Sequence, residues 1–279
     1  MPTAELNGTE LYYREAGGGL PCLVMHGGLG IDHSYLAGLD ILGDALRLVW
    51  YDHRGNGRSG RPPIETLTFA QLADDADALR AHLGHERIAV LGHSIGGAIA
   101  LEYALRHPER ISHLILVCTA PSFDLSHPDA AERLARKGMT AEMAEALAHA
   151  GESDAALRRY VELAGPLYFH TFDAARYRQM IAGIAYSAAA MVRGFQITAG
   201  WEILPRLAGL RAPTLLVAGG GDAITPPEAS MALQRGIPGA ELVVLDHSGH
   251  FPWVEQPQEF AASVGDWLQK VSKPRHHPF

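Results

Sequence analysis

The sequence predicts an α/β protein: a mostly parallel sheet flanked by helices, into which one block of helices is inserted. Three observations carry that prediction. Short apolar runs (PCLVM, LRLVWY, RIAVL, ISHLILV, APTLLVA, AELVVL) recur along the chain, and strands apolar on both faces belong in a parallel sheet buried between helix layers. Stretches with apolar residues at helical spacing separate several of them, as parallel crossovers require. The strand rhythm then stops once, after about Pro121, and resumes only after about Trp201.

The elements follow in order. Ala4–Leu6 and Leu11–Glu15 alternate in polarity across Asn7-Gly8, a dipeptide that tolerates the positive φ of a tight hairpin turn. Strands around Leu23 and Leu48 come next, then a helix over Phe69–Leu83, the strand RIAVLGH, a helix over Gly96–Arg106 and the strand ISHLILVCTA. Residues 122–201, rich in Ala, Glu, Arg, Met and Tyr, read as several helices forming a cap. Two further strands precede a last amphipathic helix over Gln258–Lys270, and KPRHHPF reads as a disordered tail. The expected organisation is thus a core of residues 1–121 and 202–272, a helical cap of 122–201, and a tail of 273–279. The chain carries neither an internal repeat nor a low-complexity segment.

With 279 residues, 47% of them hydrophobic, there is material for one large core. A net charge of −8 without clustered Lys and Arg argues against a nucleic-acid partner. The N-terminus lacks a basic-then-apolar signal pattern, and no apolar run nears the roughly 18 residues of a membrane span. A soluble, cytoplasmic protein with no membrane partner is expected, and homo-oligomerisation stays open. Cys22 and Cys118 each lie in an apolar run and read as reduced core residues; neither their spacing nor the two tail histidines suggest a metal.

The strongest local signal is Gly92-His93-Ser94-Ile95-Gly96, set between a predicted strand and a predicted helix. A G-x-S-x-G turn in that setting projects a nucleophilic serine from a strained backbone, and small residues two positions either side leave it room. Ser94 then stands at a helix N-terminus, where amides favour developing negative charge. A serine hydroxyl needs a base poised near neutrality. Of 15 histidines, His250 follows the last strand, in a loop that a parallel sheet brings to the same edge as Ser94. His247 is expected to pack against that strand, His93 to make a structural contact under the turn, and His26 to bond to loop backbone. Asp222, in GGGDAITPP after the preceding strand, is the acid expected to orient His250, with Asp124 and Asp246 as rivals. Acyl transfer also needs amides waiting for the oxyanion. Ile95, after the nucleophile, supplies one; the loop His26-Gly27-Gly28-Leu29-Gly30 supplies the other, with Gly28 preferred over Leu29.

With His26-Gly27-Gly28, Asp52-His53-Arg54-Gly55-Asn56-Gly57-Arg58-Ser59, Gly92–Gly97, Asp222 and Gly249-His250 in this order, the chain resembles the α/β-hydrolase fold superfamily over nearly its whole length. That resemblance implies an eight-stranded sheet with a helical cap after the sixth strand. HGGLG and DHRGNGRS are similar to the proline iminopeptidase branch, although Ile95 stands where that branch usually carries Trp. Ser94 in place of Asp counts against epoxide hydrolases and dehalogenases, and Phe251 stands where carbon–carbon bond hydrolases often have Trp.

Leu29, Tyr168, Phe169, Met191, Phe195, Trp201 and Phe251 are the residues expected to line an apolar substrate pocket. Cap acids such as Glu142, Glu145, Glu162 and Glu202 could bind a substrate ammonium. The reading is a cofactor-independent serine hydrolase of small carboxylic esters, with lactones, acyl-homoserine lactones included, as an extension of that class. A proline iminopeptidase-like aminopeptidase is the alternative enzyme. A slow-turnover ligand receptor on the same fold is the alternative from another class.

Overall fold

The computed structural model describes residues 2–123 and 128–272, so the predicted tail, 273–279, lies outside the described residues. The first two strands, β1 (Thr3–Leu6) and β2 (Thr9–Ala16), form the predicted hairpin. Asn7 and Gly8 turn it with φ of 49° and 75°, and Leu6 pairs with Thr9. Then come β3 (Leu20–Met25), β4 (Leu46–Tyr51), α1 (Phe69–His82), β5 (Ile88–His93), α2 (Ile95–Arg106) and β6 (Ile111–Val117). Among the described residues, five α-helices intervene before the sheet resumes: α3 (Pro128–Lys137), α4 (Ala141–His149), α5 (Asp154–Tyr168), α6 (Ala174–Ile181) and α7 (Ala188–Thr198). β7 (Thr214–Gly219), α8 (Pro227–Gly236), β8 (Glu241–Leu245), α9 (Pro252–Glu255) and α10 (Pro257–Ser272) complete the described residues.

The eight strands form one sheet in the order β1-β2-β4-β3-β5-β6-β7-β8. β1–β2 and β2–β4 pair antiparallel and every later pair is parallel. The parallel strands β3, β5, β6 and β7 are almost wholly buried, and one hydrophobic cluster forms on each face of the sheet. On one face Leu23, Val90 and Leu116 meet Ile99 and Leu101 of α2; on the other Cys22, Val24 and Val117 meet Trp253, Phe260 and Trp267. Cys22 and Cys118 are free and buried.

Local chemistry starts the helices where it should. Thr68 caps α1, Thr140 α4, Ser153 α5, Asp173 α6 and Ser187 α7, each side-chain oxygen accepting from an amide of the first turn. The helical insertion closes at its root: Ser122 and Glu202 form an antiparallel bridge, and the Ile203 amide donates to the Pro121 carbonyl. No helix among the described residues is long and apolar enough to cross a membrane.

The strand order reverses direction between β3 and β5, so the loops leaving their C-terminal ends diverge and open a crevice. The loops after β7 and β8 join the same edge, and the helical insertion lies over it.

Candidate active site

Ser94 sits between β5 and α2 with φ 55° and ψ −124°, a conformation rare for any residue with a side chain. Three hydrogen bonds hold its backbone there. Its amide donates to the Val117 carbonyl (3.0 Å), and its carbonyl accepts from the Gly97 amide (2.9 Å) and the Thr119 hydroxyl (2.6 Å). The glycines either side are a packing requirement. A Cβ on Gly96 would run into the Met25 and His26 carbonyls, and one on Gly92 into the Gly96 carbonyl.

His250 and Asp222 come together from the loops after β8 and β7. His250 Nδ1 lies 2.7 Å from Asp222 Oδ2, with both side chains almost fully buried. The other carboxylate oxygen, Oδ1, accepts from the Ile224 and Thr225 amides at 2.8 and 3.1 Å, and Oδ2 also accepts from the Thr225 hydroxyl at 2.8 Å. A carboxylate so saturated with donors is fixed in orientation, and His250 must present an N–H to it. Of the rivals, Asp246 is exposed and Asp124 lies outside the described residues. Cys118 joins His250 and Asp222 in a grouping with metal-ligand spacing. Burial and then the Asp222 charge push the Cys118 thiol well above its ordinary pKa, so it stays protonated.

The loop after β3 is built on a buried polar scaffold. Gly27 donates its amide to the Tyr35 hydroxyl at 2.7 Å, and Gly30 donates to Asn56 Oδ1 at 2.6 Å. The Gly27 and Gly30 amides are thereby committed, and Gly28, Leu29 and Ile95 border the cavity. His26 bonds to loop backbone as expected: Nδ1 lies 2.9 Å from the Gly27 carbonyl, and Nε2 accepts from the His53 amide. Burial drives both imidazoles below the usual histidine pKa. Beneath them Asp52 accepts from the His33 ring, the His33 amide and the Arg58 amide. Burial alone would raise its pKa; the bond and charge of His33, helped by His26 and Arg58, outweigh that and hold it at about 2. The motif Asp52–Ser59 thus supports the Gly27–Gly30 loop and does not itself enter the cavity.

That cavity measures about 630 Å³ and runs between the sheet edge and the insertion. Ser94, His250, Gly28 and Ile95 form its floor, and α5, α6 and α7 supply much of its largely apolar wall. Leu29, Tyr168, Met191, Phe195 and Phe251 all border it, as expected from sequence. Phe169 and Trp201 do not. Phe169 is 1% exposed and packs behind Phe251, ring centroids 5.3 Å apart. Trp201 lies at the insertion's root, packed against Phe69 and Phe123, with its indole N–H donated to Glu102. A residue one position before the closing bridge is too close to the core to reach the ligand space. Glu142, Glu145, Glu162 and Glu202 do not border the cavity. His247 is exposed beside the His170 ring and is not packed against its strand.

Several residues at the site gave no sequence signal. Glu255 on α9 accepts from the Gly249 (2.6 Å), His170 (3.1 Å) and Thr171 (2.8 Å) amides, tying the histidine loop to the insertion. Tyr35 and Thr119 are equally silent, since their partners lie far away in the chain.

A family model described as the alpha/beta hydrolase fold matches residues 21–257. The chain belongs to the α/β-hydrolase fold family. A proline iminopeptidase, PfmaB, from Pestalotiopsis fici is 32% identical over 95% of this chain and 98% of the relative. Among solved structures, a thermophilic esterase from Thermogutta terrifontis is similar at 29% identity and TM-score 0.75, covering 97% of both chains. The enol-lactonase of Burkholderia xenovorans LB400 is similar at 26% identity and TM-score 0.73, over 96% of this chain and 100% of that one. This α/β-hydrolase is a hydrolase by family, and its relatives divide among several chemistries that one fold can host.

Proposed function

We propose that this α/β-hydrolase cleaves small carboxylic esters, lactones among them, through an acyl-enzyme on Ser94. The observation that carries the reading is the His250–Asp222 contact at 2.7 Å, set in the same cavity as a serine on a strained elbow. Ser94 Oγ attacks the carbonyl carbon while His250 Nε2 takes its proton, and Asp222 stabilises the resulting imidazolium. The Gly28 and Ile95 amides receive the oxyanion. Collapse breaks the carbon–oxygen bond, and His250 returns the proton to the departing alkoxide. Water, deprotonated by His250, then releases the acid and restores Ser94. The insertion acts as a cap whose apolar wall holds the acyl chain, and no step calls for a cofactor.

A second reading, an aminopeptidase of the proline iminopeptidase kind, is favoured by the 32% identical relative. It needs a carboxylate for the substrate ammonium, and among the described residues the acid that borders the cavity is Asp129. Hydrolysis of p-nitrophenyl esters of increasing chain length, an acyl-homoserine lactone and proline p-nitroanilide separates the two. Ester or lactone turnover lost in Ser94→Ala supports the main reading; wild-type turnover in that variant overturns it. Cleavage of the proline amide alone, weakened in Asp129→Asn, moves the protein to the peptidase reading. Tight ligand binding with no turnover of any of them points to a receptor.

A further inference from the structure

The proposed catalytic groups sit on separate loops: Gly28 after β3, Ser94 after β5, His250 after β8. Acyl transfer requires them within about half an ångström of one arrangement. Buried side chains that the reaction does not consume join these loops. The Gly27 amide donates to the Tyr35 hydroxyl (2.7 Å), Tyr35 meets His93 Nδ1 (2.8 Å), and His93 Nε2 meets the His250 carbonyl (2.9 Å). We infer that Tyr35 and His93 form a positioning relay that holds the Gly27–Gly28 amides and the His250 backbone in one register, an inference resting on the acyl-transfer reading above.

The direction of every bond in the relay is determined. A carbonyl only accepts, so His93 Nε2 carries the proton toward His250. Nδ1 is then bare and accepts from the Tyr35 hydroxyl, whose oxygen in turn accepts from Gly27. Nothing in the chain has a choice of donor or acceptor, so the relay has one state. Burial, reinforced by the His250 charge, holds the His93 imidazole well below the usual histidine pKa. Its tautomer therefore persists when His250 becomes cationic during turnover. The His250 amide is held as well, donating to the Tyr168 carbonyl, so its backbone is gripped on both sides of the Cα. Tyr35 also keeps the Gly27 amide away from the oxyanion, leaving that role to Gly28.

Tyr35→Phe removes only the hydroxyl, and His93→Gln keeps a donor near Nε2 while losing the Nδ1 acceptor. With p-nitrophenyl butyrate, each variant is expected to lower kcat about 10- to 30-fold with KM within about twofold, since misplacement costs the transition state more than the ground state. The inhibition constant of butylboronic acid, which forms a tetrahedral adduct on the serine, should rise by the same factor. The double variant should be no worse than either single one, because both break one chain. A merely structural role gives a different result: lower melting temperatures, with kcat and boronate affinity within about twofold of wild type at room temperature. That outcome in Tyr35→Phe, or in His93→Gln should the first not fold, overturns the relay. Failure of the underlying reading looks different again: Ser94→Ala would keep its turnover and the boronate would not inhibit.

Discussion

Replacing Asp222 by Asn tests the acid more sharply than deleting it, because the surroundings dictate how the new amide sits. The Oδ1 position faces two backbone amides, of Ile224 and Thr225, and both can only donate. The oxygen of the introduced carboxamide must occupy that side. Its NH2 group then replaces Oδ2, against the Thr225 hydroxyl and His250 Nδ1. Thr225 can rotate and accept; His250 can accept only by giving up its Nδ1 proton. The imidazole is thereby driven to the tautomer protonated at Nε2, and the lone pair that should take the Ser94 proton is gone. Loss of the correct tautomer, together with loss of the carboxylate that stabilises the imidazolium, should lower kcat about 10³- to 10⁴-fold, roughly 4–5.5 kcal/mol of barrier. Asp222→Ala would confuse the result, since it orphans the buried Thr225 amide at about 1–3 kcal/mol and also strips the half-buried Ile224 amide of its partner. The assay is steady-state hydrolysis of a p-nitrophenyl ester at about pH 7–8, with folding checked by circular dichroism. If Asp222→Asn stays within about tenfold of wild type while Ser94→Ala is inactive, Asp222 does not orient the base and the reasoning fails.

Three further outcomes are expected. Ser94→Gly removes the side chain from a backbone at φ 55° and should stabilise the protein by about 1 kcal/mol, a rise of roughly 2–3 °C in melting temperature; an unchanged melt relative to Ser94→Ala would mean the elbow stores no strain. Asp52 has its pKa lowered from 3.8 to about 2, so its contribution, about 2 kcal/mol, is complete above the unfolded value and disappears as pH falls through about 2. Urea unfolding of Asp52→Asn should show that loss already at about pH 7 and a flatter decline between about pH 4 and 2; a wild-type slope would remove Asp52 from the acid sensitivity. Val161→Trp, on the α5 wall of the cavity, should lower kcat/KM for octanoate about tenfold relative to acetate, and an unchanged chain-length profile would place the acyl group elsewhere.

Some of this was legible because it is local. Asn7-Gly8 specifies a turn by its own φ preferences, and Thr68 and Ser187 cap helices that begin right after them. The elbow at Ser94 needs small neighbours two residues away, and that demand is written in the sequence as Gly92 and Gly96. That Asp222 and His250 meet, among many acids and histidines, could be expected because a parallel sheet gathers the loops after its strands at one edge.

The pocket was less legible. Phe169 follows the end of α5 and Phe251 precedes α9, and an apolar side chain at a helix boundary carries no sign of what it packs against, so the two read alike. Only the packed structure puts the first behind the second. Trp201 looked like a ligand contact until the bridge between Ser122 and Glu202 placed it at the insertion's root. Tyr35 and His93 are 58 residues apart, and Glu255 reaches amides 84 and 85 residues away. Single polar residues at such separations leave no periodic trace. By itself, then, the sequence determined the sheet, the elbow and the edge at which Ser94, Asp222 and His250 stand, since each rests on short-range sterics or on strand order. Tertiary structure alone decided the hydrogen-bond partners that position those groups and the shape of the cavity above them, because both arise where loops distant in the chain pack together.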